Sequence, residues 1–483
     1  MTWVAKNPLR ACDTERWRSV LGTRKHTEQK VKQKKLEDRV RPFGDARDVK
    51  KATAALSEIR RLLFDEAFKG RHRVSPQVFT RHRKLSFPIV VAMVLRKSLH
   101  SLQNVVNEAL SWLGRGTASA SAFCQARYRL RHTAFIELNR VAVLGSLYGD
   151  GEYARWRGFR LLAVDGSKVL LPDHPEIRDQ FGTIAFSNGR TDRLEGERTY
   201  GLASVLYDVC NRVAVDATLA RGDAYEVDLA VEHLAHACPG DWVLADRNYP
   251  AYRLLAEFTE RGIDFVVRCS AASFKPARRM LRGEGPESQI VTLTPCAGQR
   301  AAIRRRGLPT ALKVRFVRVI LSTGEYEVLV TSLRDETRWP TAEFRELYHL
   351  RWGVETFYGV LKTRLTLENF TGIGAEAIRQ DFFASVFLGG LESLLVGEAQ
   401  TQLDARPTRH PQQVNRAVAF NAIKHKALAL LCTDADIEVL CAELTALFLT
   451  SPCSQRPGRN PPRNKKSDRA LLDYHRRRKK HCF

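Results

Sequence analysis

Three features that define other classes of protein are missing from this sequence of 483 residues. None of its 10 cysteines stands in a C-x-x-C pair, which argues against a zinc site and predicts buried, reduced thiols. No segment is apolar over the length of a bilayer, since Glu392 interrupts the most apolar stretch, 382–396. The first residues lack the apolar core of a signal peptide, so we expect a cytoplasmic protein without a membrane anchor.

Acidic residues are too few to balance the basic ones. The sequence has 78 Lys and Arg against 53 Asp and Glu, a formal net charge of +25. Such an excess predicts a polyanionic partner, and nucleic acid is favoured over a membrane because no basic amphipathic anchor is present. The length and a hydrophobic content of 44% predict a globular protein of several domains.

The first part of the chain has a helical pattern. Residues up to about 70 are dense in charge, and from Leu85 apolar residues recur at helical spacing. The segment 121–131 predicts a short helix with a basic face, on which Arg127 is a candidate for contacting DNA phosphates. Basic faces of this kind are more often simply solvated.

The pattern changes near Arg160 to alternating strands and helices. The run 161–164 predicts a strand that ends at Asp165, and 241–245 predicts a strand that ends at Asp246. Between and after these strands we predict a hairpin (200–207 and 213–218), a helix (225–237), a second helix (252–261) and a strand (264–268). This order predicts a mixed sheet with helices on its faces.

A β-rich insertion is predicted after this sheet. The segment 270–312 is rich in Arg, Gly and Pro and is expected to be irregular, and 314–331 predicts a hairpin. Helices are then predicted at 341–364, 375–400 and 414–449. The tail from 456 is rich in Pro and then strongly basic, as is typical of a segment disordered in isolation.

The predicted helix 341–364 carries four chemically different groups on one edge. At roughly 100° per residue, Tyr348, Arg351, Glu355 and Lys362 fall within roughly 60° of one another. A carboxylate flanked by two cations and a phenol suits a metal site that handles phosphate. An Arg–Glu pair four residues apart is also common on ordinary solvated helices.

The functional interpretation of this helix depends on two aspartates elsewhere in the sequence. Asp165 and Asp246 both end predicted strands, and the carboxyl ends of neighbouring strands converge on one sheet edge. With Glu355 they form three carboxylates, which can hold two divalent cations, Mg²⁺ or Mn²⁺ rather than zinc. Taken singly, Asp165-Gly is a common turn dipeptide and Asp246 can cap the segment that follows. Weaker candidates in loop-like stretches are Asp173, Asp179 and Asp192.

These motifs resemble those of DDE-type insertion-sequence transposases of the insertion sequence four family. The family signature Tyr-Arg-Glu-Lys is matched, with its spacing, by Tyr348, Arg351, Glu355 and Lys362. Its two acidic motifs are matched by Asp165-Gly-Ser and by Asp246-Arg247-Asn-Tyr249. Segments 122–132 and 367–372 also resemble family sequence, so the likeness runs from about residue 75 to the basic tail.

The resemblance implies an α/β fold: a ribonuclease-H-like mixed sheet with helices on both faces, a β-rich insertion before the catalytic Glu helix, and helical N- and C-terminal regions. The implied division is a helical DNA-binding region (1–150), the first part of the catalytic core (151–269), the insertion (270–335), the second part of the core (336–400) and a helical C-terminal region with a basic tail (401–483).

The resemblance also implies an activity. Asp165, Asp246 and Glu355 would be catalytic and would bind two Mg²⁺ or Mn²⁺ ions. Contacts to DNA would come from Tyr348, Arg351, Lys362, Arg247 and Arg127.

The implied reaction is metal-dependent cleavage of transposon ends followed by strand transfer into double-stranded target DNA, by a nucleoid-associated homodimer. Some relatives stack a flipped base on a Trp of the insertion, but here the first Trp after Asp246 is Trp339, so a hairpin intermediate stays open. Two alternatives remain: a catalytically inactive, transposase-derived DNA-binding protein, and a ribonuclease-H-like nuclease without strand transfer.

Overall fold

The computed structural model describes residues 46–81, 83–98, 100–187, 194–321 and 323–456. Over these ranges the chain is α/β, with a nine-stranded mixed sheet and many helices. The mixed α/β architecture predicted from the sequence is therefore confirmed. The charged segment before residue 46 and the basic tail after 456 lie outside the described residues.

Helices form the N-terminal part, as predicted. They are α1 (Ala46–Phe64), α2 (Glu66–His72), α3 (Phe87–Leu95), α4 (Leu102–Trp112), α5 (Ala120–Arg127), α6 (Thr133–Glu137) and α7 (Gly145–Tyr148), with a π-helical segment (Leu138–Leu144) between the last two. The start of α2 is fixed by Asp65, whose carboxylate accepts hydrogen bonds from the N–H groups of Ala67 and Phe68. Every residue of α3 is buried, so this helix is a core element.

The sheet is built from both parallel and antiparallel pairs. Its strands are β1 (Leu161–Leu170), β2 (Thr183–Ser187), β3 (Leu194–Asp208), β4 (Val213–Arg221), β5 (Trp242–Ala245), β6 (Asp264–Cys269), β7 (Ser288–Leu293), β8 (Leu312–Ile320) and β9 (Tyr326–Thr331). Their order is β4-β3-β1-β5-β6-β9-β8-β7, and β2 pairs with the first half of β3. Strands β1, β5 and β6 run parallel, and the other pairs are antiparallel.

Strand β1 is longer than predicted. It continues to Leu170, because residues 165–170 pair with β3, so the prediction that the strand ends at Asp165 is wrong. Its parallel pairing with β5, however, ends at the pair Val164–Ala245. Asp165 and Asp246 are therefore both the first residues beyond the parallel register, which keeps them side by side.

The segment after β6 has more structure than predicted. Instead of an irregular stretch, 270–312 contains α11 (Lys275–Leu281), β7 and α12 (Ala297–Arg305). The predicted hairpin is present as β8 and β9, and β9 pairs with β6. These strands thus extend the main sheet. The helices before this segment are α8 (Pro175–Phe181), α9 (Glu226–His233) and α10 (Tyr252–Glu260).

The predicted uninterrupted helix 341–364 is wrong, because the structure divides it. After a 3₁₀ turn (Thr341–Glu343) come α13 (Phe344–His349), α14 (Trp352–Gly359) and a π-helical segment (Val360–Arg364). Between α13 and α14 the backbone tightens, since the N–H of Arg351 bonds the carbonyl of Tyr348, three residues back, at 3.1 Å. An ideal helical projection therefore does not describe all four signature residues.

Helices also close the chain. They are α15 (Ala375–Leu395), α16 (Gly397–Asp404), α17 (Arg416–Cys432) and α18 (Ile437–Phe448), and two short strands, β10 (Gln412–Gln413) and β11 (Cys453–Ser454), pair with each other. Among the described helices none is by itself long and apolar enough to cross a membrane; α15 and α16 meet that length and composition together, across a bend of 43°.

Two apolar cores cover the two faces of the sheet. Leu161 and Ala163 of β1 belong to the larger core, with side chains of α1, α3, α14, α15 and α17. Leu162 and Val164 belong to the smaller core, with side chains of α9 and α10. This period of two decides which face each following residue takes. By that alternation, Asp165 falls on the face covered by α14.

Candidate active site

The same alternation brings the second aspartate to the same face. Trp242 and Leu244 of β5 belong to the larger core, and Asp246 follows two residues after Leu244. Glu355 lies in the first turn of α14, the helix packed on this face. The two aspartates and the glutamate are thus brought to one edge of the sheet by three separate elements.

A buried arginine stands between two of these carboxylates. Nη2 of Arg351 lies 2.6 Å from Oε1 of Glu355, and its Nη1 lies 3.9 Å from Oδ2 of Asp165. The Arg351 side chain is 4% exposed, and its Nε and Nη1 have no hydrogen-bond partner within the described ranges. The guanidinium therefore places a positive charge beside Asp165 and Glu355, and its Nε–H and Nη1–H groups remain available as hydrogen-bond donors.

The electrostatics of Asp165 reflect its surroundings. Burial raises the pKa of its carboxyl group to about 7, Arg351 opposes this rise, and the nearby carboxylates of Asp246 and Glu355 add to it. Across the described ranges no three His, Cys, Asp or Glu side chains stand close enough together to hold a metal ion. Carboxylate oxygens nevertheless suit a hard divalent cation, and the positive charge of Arg351 is too small to balance three carboxylates.

Hydrogen bonds to the backbone fix the frame of the site. Oδ1 of Asp165 accepts from the N–H of Gly166 at 2.9 Å, and Oδ1 of Asp246 accepts from the N–H of Asn248 at 2.8 Å. The hydroxyl of Tyr358, on α14, lies 2.9 Å from the carbonyl oxygen of Asp165 and 2.9 Å from that of Ala203. This hydroxyl ties α14 to the strands that carry the aspartate.

The residues predicted to contact DNA lie in different environments. Arg247 is exposed beside Asp246. Lys362 is partly buried, which lowers the pKa of its ammonium group, and it donates to the carbonyl of Lys168 at 2.6 Å. Tyr348 is 3% exposed and its hydroxyl lies 3.3 Å from the carbonyl of Ala245, so it fastens α13 to β5 and is not presented to a phosphate.

The assignment of Arg127 to DNA binding is corrected by the structure. Arg127 is 5% exposed and donates to Asp381 Oδ1 at 2.8 Å, to the carbonyl of Ala377 at 2.8 Å and to Gln380 Oε1 at 2.7 Å. It also bonds the Thr371 hydroxyl. The guanidinium is occupied inside the protein, where it joins α5 to α15.

Two residues beside Asp165 were not singled out as site residues from the sequence. A Cβ atom on Gly166 would lie 3.0 Å from the carboxyl carbon of Glu226, whose Oε2 is buried without a hydrogen-bond partner in the described part of the chain. Tyr249 is fully buried, and burial, with Glu226 and Asp165 adding, raises the pKa of its phenol. The sequence feature that could have pointed to Glu226 is its position at the start of the predicted helix that follows the hairpin.

Trp339 does not lie near this edge. It is 7% exposed and packs against Trp156, Phe159 and Trp242, and Trp242 begins the strand whose other end precedes Asp246. Its ring therefore belongs to the core at the opposite end of β5. A base that is flipped at the carboxylates would not reach it.

Comparisons with known proteins agree on the family. The family described as "Transposase DDE domain" matches residues 156–388. "Transposase InsG for insertion sequence element IS4" of Escherichia coli (strain K12) is 24% identical over 312 residues, which is 61% of this chain and 67% of that relative. "Putative transposase InsZ" of the same organism is 25% identical over 195 residues, which is 39% of this chain and 62% of the relative, just under two thirds of its length.

Among solved structures, a "piggyBac transposase synaptic complex with hairpin DNA" is 10% identical, with a TM-score of 0.39 over 89% of this chain and 87% of the other. A score this low carries no argument about the fold. The family match and the two relatives agree: residues 156–388 match a transposase DDE domain, and the chain is similar to transposases related to insertion sequence element IS4.

Proposed function

We propose that this transposase cuts the ends of its transposable element and transfers the cut strands into target DNA, by metal-dependent phosphoryl transfer. One observation carries the proposal: Asp165, Asp246 and Glu355 reach one sheet edge, where Arg351 lies between two of them. Burial and the two neighbouring carboxylates raise the pKa of Asp165, and a carboxyl group perturbed in this way is typical of a functional site.

The sheet supports a ribonuclease-H-like catalytic core. An antiparallel meander (β1, β3, β4) is followed by α9, the parallel strand β5, α10 and the parallel strand β6. This order is the one expected of that fold, with the segment 270–335 inserted before the Glu helix. We propose 151–269 and 336–400 as the two parts of the core, flanked by regions 1–150 and 401–483, whose described parts are mainly helical.

Asp165, Asp246 and Glu355 would hold two divalent cations, Mg²⁺ or Mn²⁺, because carboxylate oxygens are the ligands these ions prefer. When bound, such ions activate a water or a 3′-hydroxyl and stabilise the leaving oxygen of an in-line displacement. Arg351 balances the charge of Asp165 and Glu355, and its unpaired Nη1–H and Nε–H groups can donate to a phosphate oxygen.

Further contacts to DNA are proposed for two cations at the rim. Arg247 is exposed directly after Asp246, and Lys362 is partly exposed at the far end of the Glu helix. Both can neutralise phosphates next to the reacting bond. Because two transposon ends must be cut and joined together, we expect a homodimer in the synaptic complex.

The test is cleavage of linear DNA that carries the terminal inverted repeats flanking the gene, in the presence of Mg²⁺. We expect the parent to cut and join this DNA, and Asp165→Asn, Asp246→Asn and Glu355→Gln each to lose at least about 10²-fold in rate. The matched control is Asp173→Asn, since the Asp173 side chain is 63% exposed and pairs with Arg178. If the three variants cut as fast as the parent, the site is misassigned.

The products decide between the remaining alternatives. A ribonuclease-H-like nuclease would leave cut ends and no insertion into a target plasmid. A transposase-derived DNA-binding protein without catalysis would retain the duplex and leave it intact. Insertion products that depend on all three carboxylates are expected only of the proposed activity.

A further inference from the structure

A second basic cleft lies beyond the candidate active site, between the end of the Glu helix and α17. Its volume is about 730 Å³, and it is lined on one side by Thr363 and Arg364 and on the other by α17. The cationic and imidazole groups in its lining are Arg364, Lys424, His425 and Lys426. No acidic side chain lines the cleft, and none occurs in the sequence between Asp404 and Asp434.

Lys424 is the unusual member of this lining. It is partly buried, and in the described part of the chain its ammonium group has no hydrogen bond or ion pair, whereas Lys426 pairs with Glu443. Burial, with Lys97 adding, lowers the pKa of Lys424 to about 8, and Asp381 opposes this. A half-buried cation without a partner costs free energy that an arriving anion would offset.

The carboxylate of Asp381, which acts electrostatically on Lys424, is already paired with other cations. Asp381 is 1% exposed and already pairs with Arg127 at 2.8 Å and with Lys97 at 3.9 Å. Three cations therefore share the field of one carboxylate. Lys424 lines the cleft, and its positive charge is only partly offset by Asp381.

The cleft continues the line of the Glu helix. Arg364 follows Glu355 by nine residues, at the end of the π-helical segment that continues α14. Ala417, Val418 and Leu447 are partly or fully exposed apolar residues of the lining, against which a deoxyribose can pack.

We propose that this cleft binds a backbone phosphate of the DNA beyond the cleaved bond, held between Lys424 and Arg364 at the end of the Glu helix. The proposal rests on the proposed function for the identity of the polyanion. Ammonium and guanidinium groups that share a site without carboxylates are suited to a phosphodiester. The site would anchor the strand beyond the reach of the catalytic residues.

The experiment measures binding separately from cleavage. In full-length protein carrying Glu355→Gln, the affinity for a fluorescein-labelled duplex of arbitrary sequence is followed by anisotropy at increasing salt. We expect Lys424→Gln and Arg364→Gln each to reduce the slope of log affinity against log salt by about 0.9, the value for one phosphate. The double variant should lose no more than either single variant, because the one phosphate is held only when both residues are present.

The controls separate a binding role from a structural one. Lys313→Gln removes the same charge from an exposed position on β8, and its slope should equal that of the parent. Lys424→Arg should retain the parent slope. Lys424→Met should unfold at or above the parent temperature, because an unpaired buried cation is removed.

An unchanged slope in folded Lys424→Gln and Arg364→Gln proteins would overturn the proposal, and so would a marked destabilisation of Lys424→Met. These outcomes do not depend on cleavage. If the parent fails to cut terminal repeats while the slopes still fall, the proposed function is wrong and the cleft remains. If the parent cuts terminal repeats but the slopes do not change, the proposed function stands and the proposed phosphate site in the cleft is wrong.

Discussion

Asp165 links the chemistry of the site to the stability of the protein. Its folded pKa of about 7, against an ordinary 3.8, means that the folded state holds this proton more tightly than the unfolded chain does. The loss of unfolding free energy that comes from ionising Asp165 is absent at pH values below the ordinary pKa. It grows as the pH rises and reaches its full value above pH 7. It amounts to at most roughly 4 kcal/mol.

We therefore expect Asp165→Asn to stabilise the metal-free protein at pH 8 and to have little effect near pH 4. Thermal unfolding in EDTA across this pH range measures the difference in melting temperature between variant and parent. Adding Mn²⁺ at pH 8 should raise the melting temperature of the parent more than that of the variant. A difference that is independent of pH would show that the carboxyl group is not held near neutrality by its neighbours.

Arg351 is expected to act as an internal counterion. Arg351→Ala leaves Asp165 and Glu355 without their nearest cation, and breaking a buried pair costs 3–5 kcal/mol. Because the Glu355 side chain is 38% exposed, we expect a smaller loss of about 2 kcal/mol in urea unfolding with EDTA. Mg²⁺ should recover part of that loss. The control is Arg345→Ala, at an exposed position on α13, and equal losses with and without Mg²⁺ would contradict the counterion role.

At the scale of elements, the sequence predicted what periodicity reports. Both hairpins, the parallel strands β5 and β6 and the helices around them follow from alternating or helical spacing of apolar residues. The continuation of β1 past Asp165 could not be predicted, because residues 165–168 are polar or small and their pairing with β3 is a tertiary contact. Helix α12 was missed for a related reason: its sequence AGQRAAIRR buries a single side chain, Ile303.

The division of the Glu helix was also beyond the sequence. Its apolar spacing is continuous, and the tightening at Arg351 and the π-helical segment at Val360–Arg364 leave no mark in residue type. The convergence of the three carboxylates and Arg351 on one sheet edge could be predicted from the ends of the apolar runs and from helix spacing, and their role as the active site stays a prediction. Burial, which removes Arg127 and Tyr348 from the DNA-contact set, could not, because the neighbours that cover them come from distant parts of the chain.

The contact between α5 and α15 gives a prediction at this scale. Arg127→Ala leaves Asp381, 1% exposed, with Lys97 as its remaining ion-pair partner, at 3.9 Å. Removing one member of such a buried pair costs about 3 kcal/mol or more, which chemical denaturation should detect. Arg131→Ala, at an exposed position four residues on, should cost less than about 0.5 kcal/mol. Loss of DNA affinity without loss of stability would instead return Arg127 to the DNA-contact set.

Across the whole molecule, the terminal helices and the sheet share one core. The larger apolar core includes Leu56 of α1, Val90 of α3, Phe420 of α17 and Leu161 of β1. We expect a fragment of residues 151–400 to lack a cooperative thermal transition by circular dichroism, because it loses α1, α3 and α17, which contribute to the larger core. The full chain is the control, and a fragment that melts cooperatively would show that the catalytic region folds alone.

The net charge of +25 gives a second prediction at this scale. If about six phosphates are neutralised, affinity for duplex DNA should fall by roughly 10³ or more between 50 and 200 mM salt. Fluorescence anisotropy titrations with the full-length protein measure this dependence. An affinity that stays flat over this range would remove the electrostatic basis of the binding.

The register of β1 against β5 has a consequence for insertions and deletions in the genes of such transposases. Asp165 and Asp246 each stand one step past the pair Val164–Ala245, and a slip of one residue turns a strand's side chains to the opposite face. Insertion or deletion of a single codon within the coding sequence of either strand would turn that strand's aspartate toward the smaller core. Every residue of the sequence motifs would remain unchanged. Copies with such a frame-preserving lesion should therefore be immobile, although their signatures read as complete.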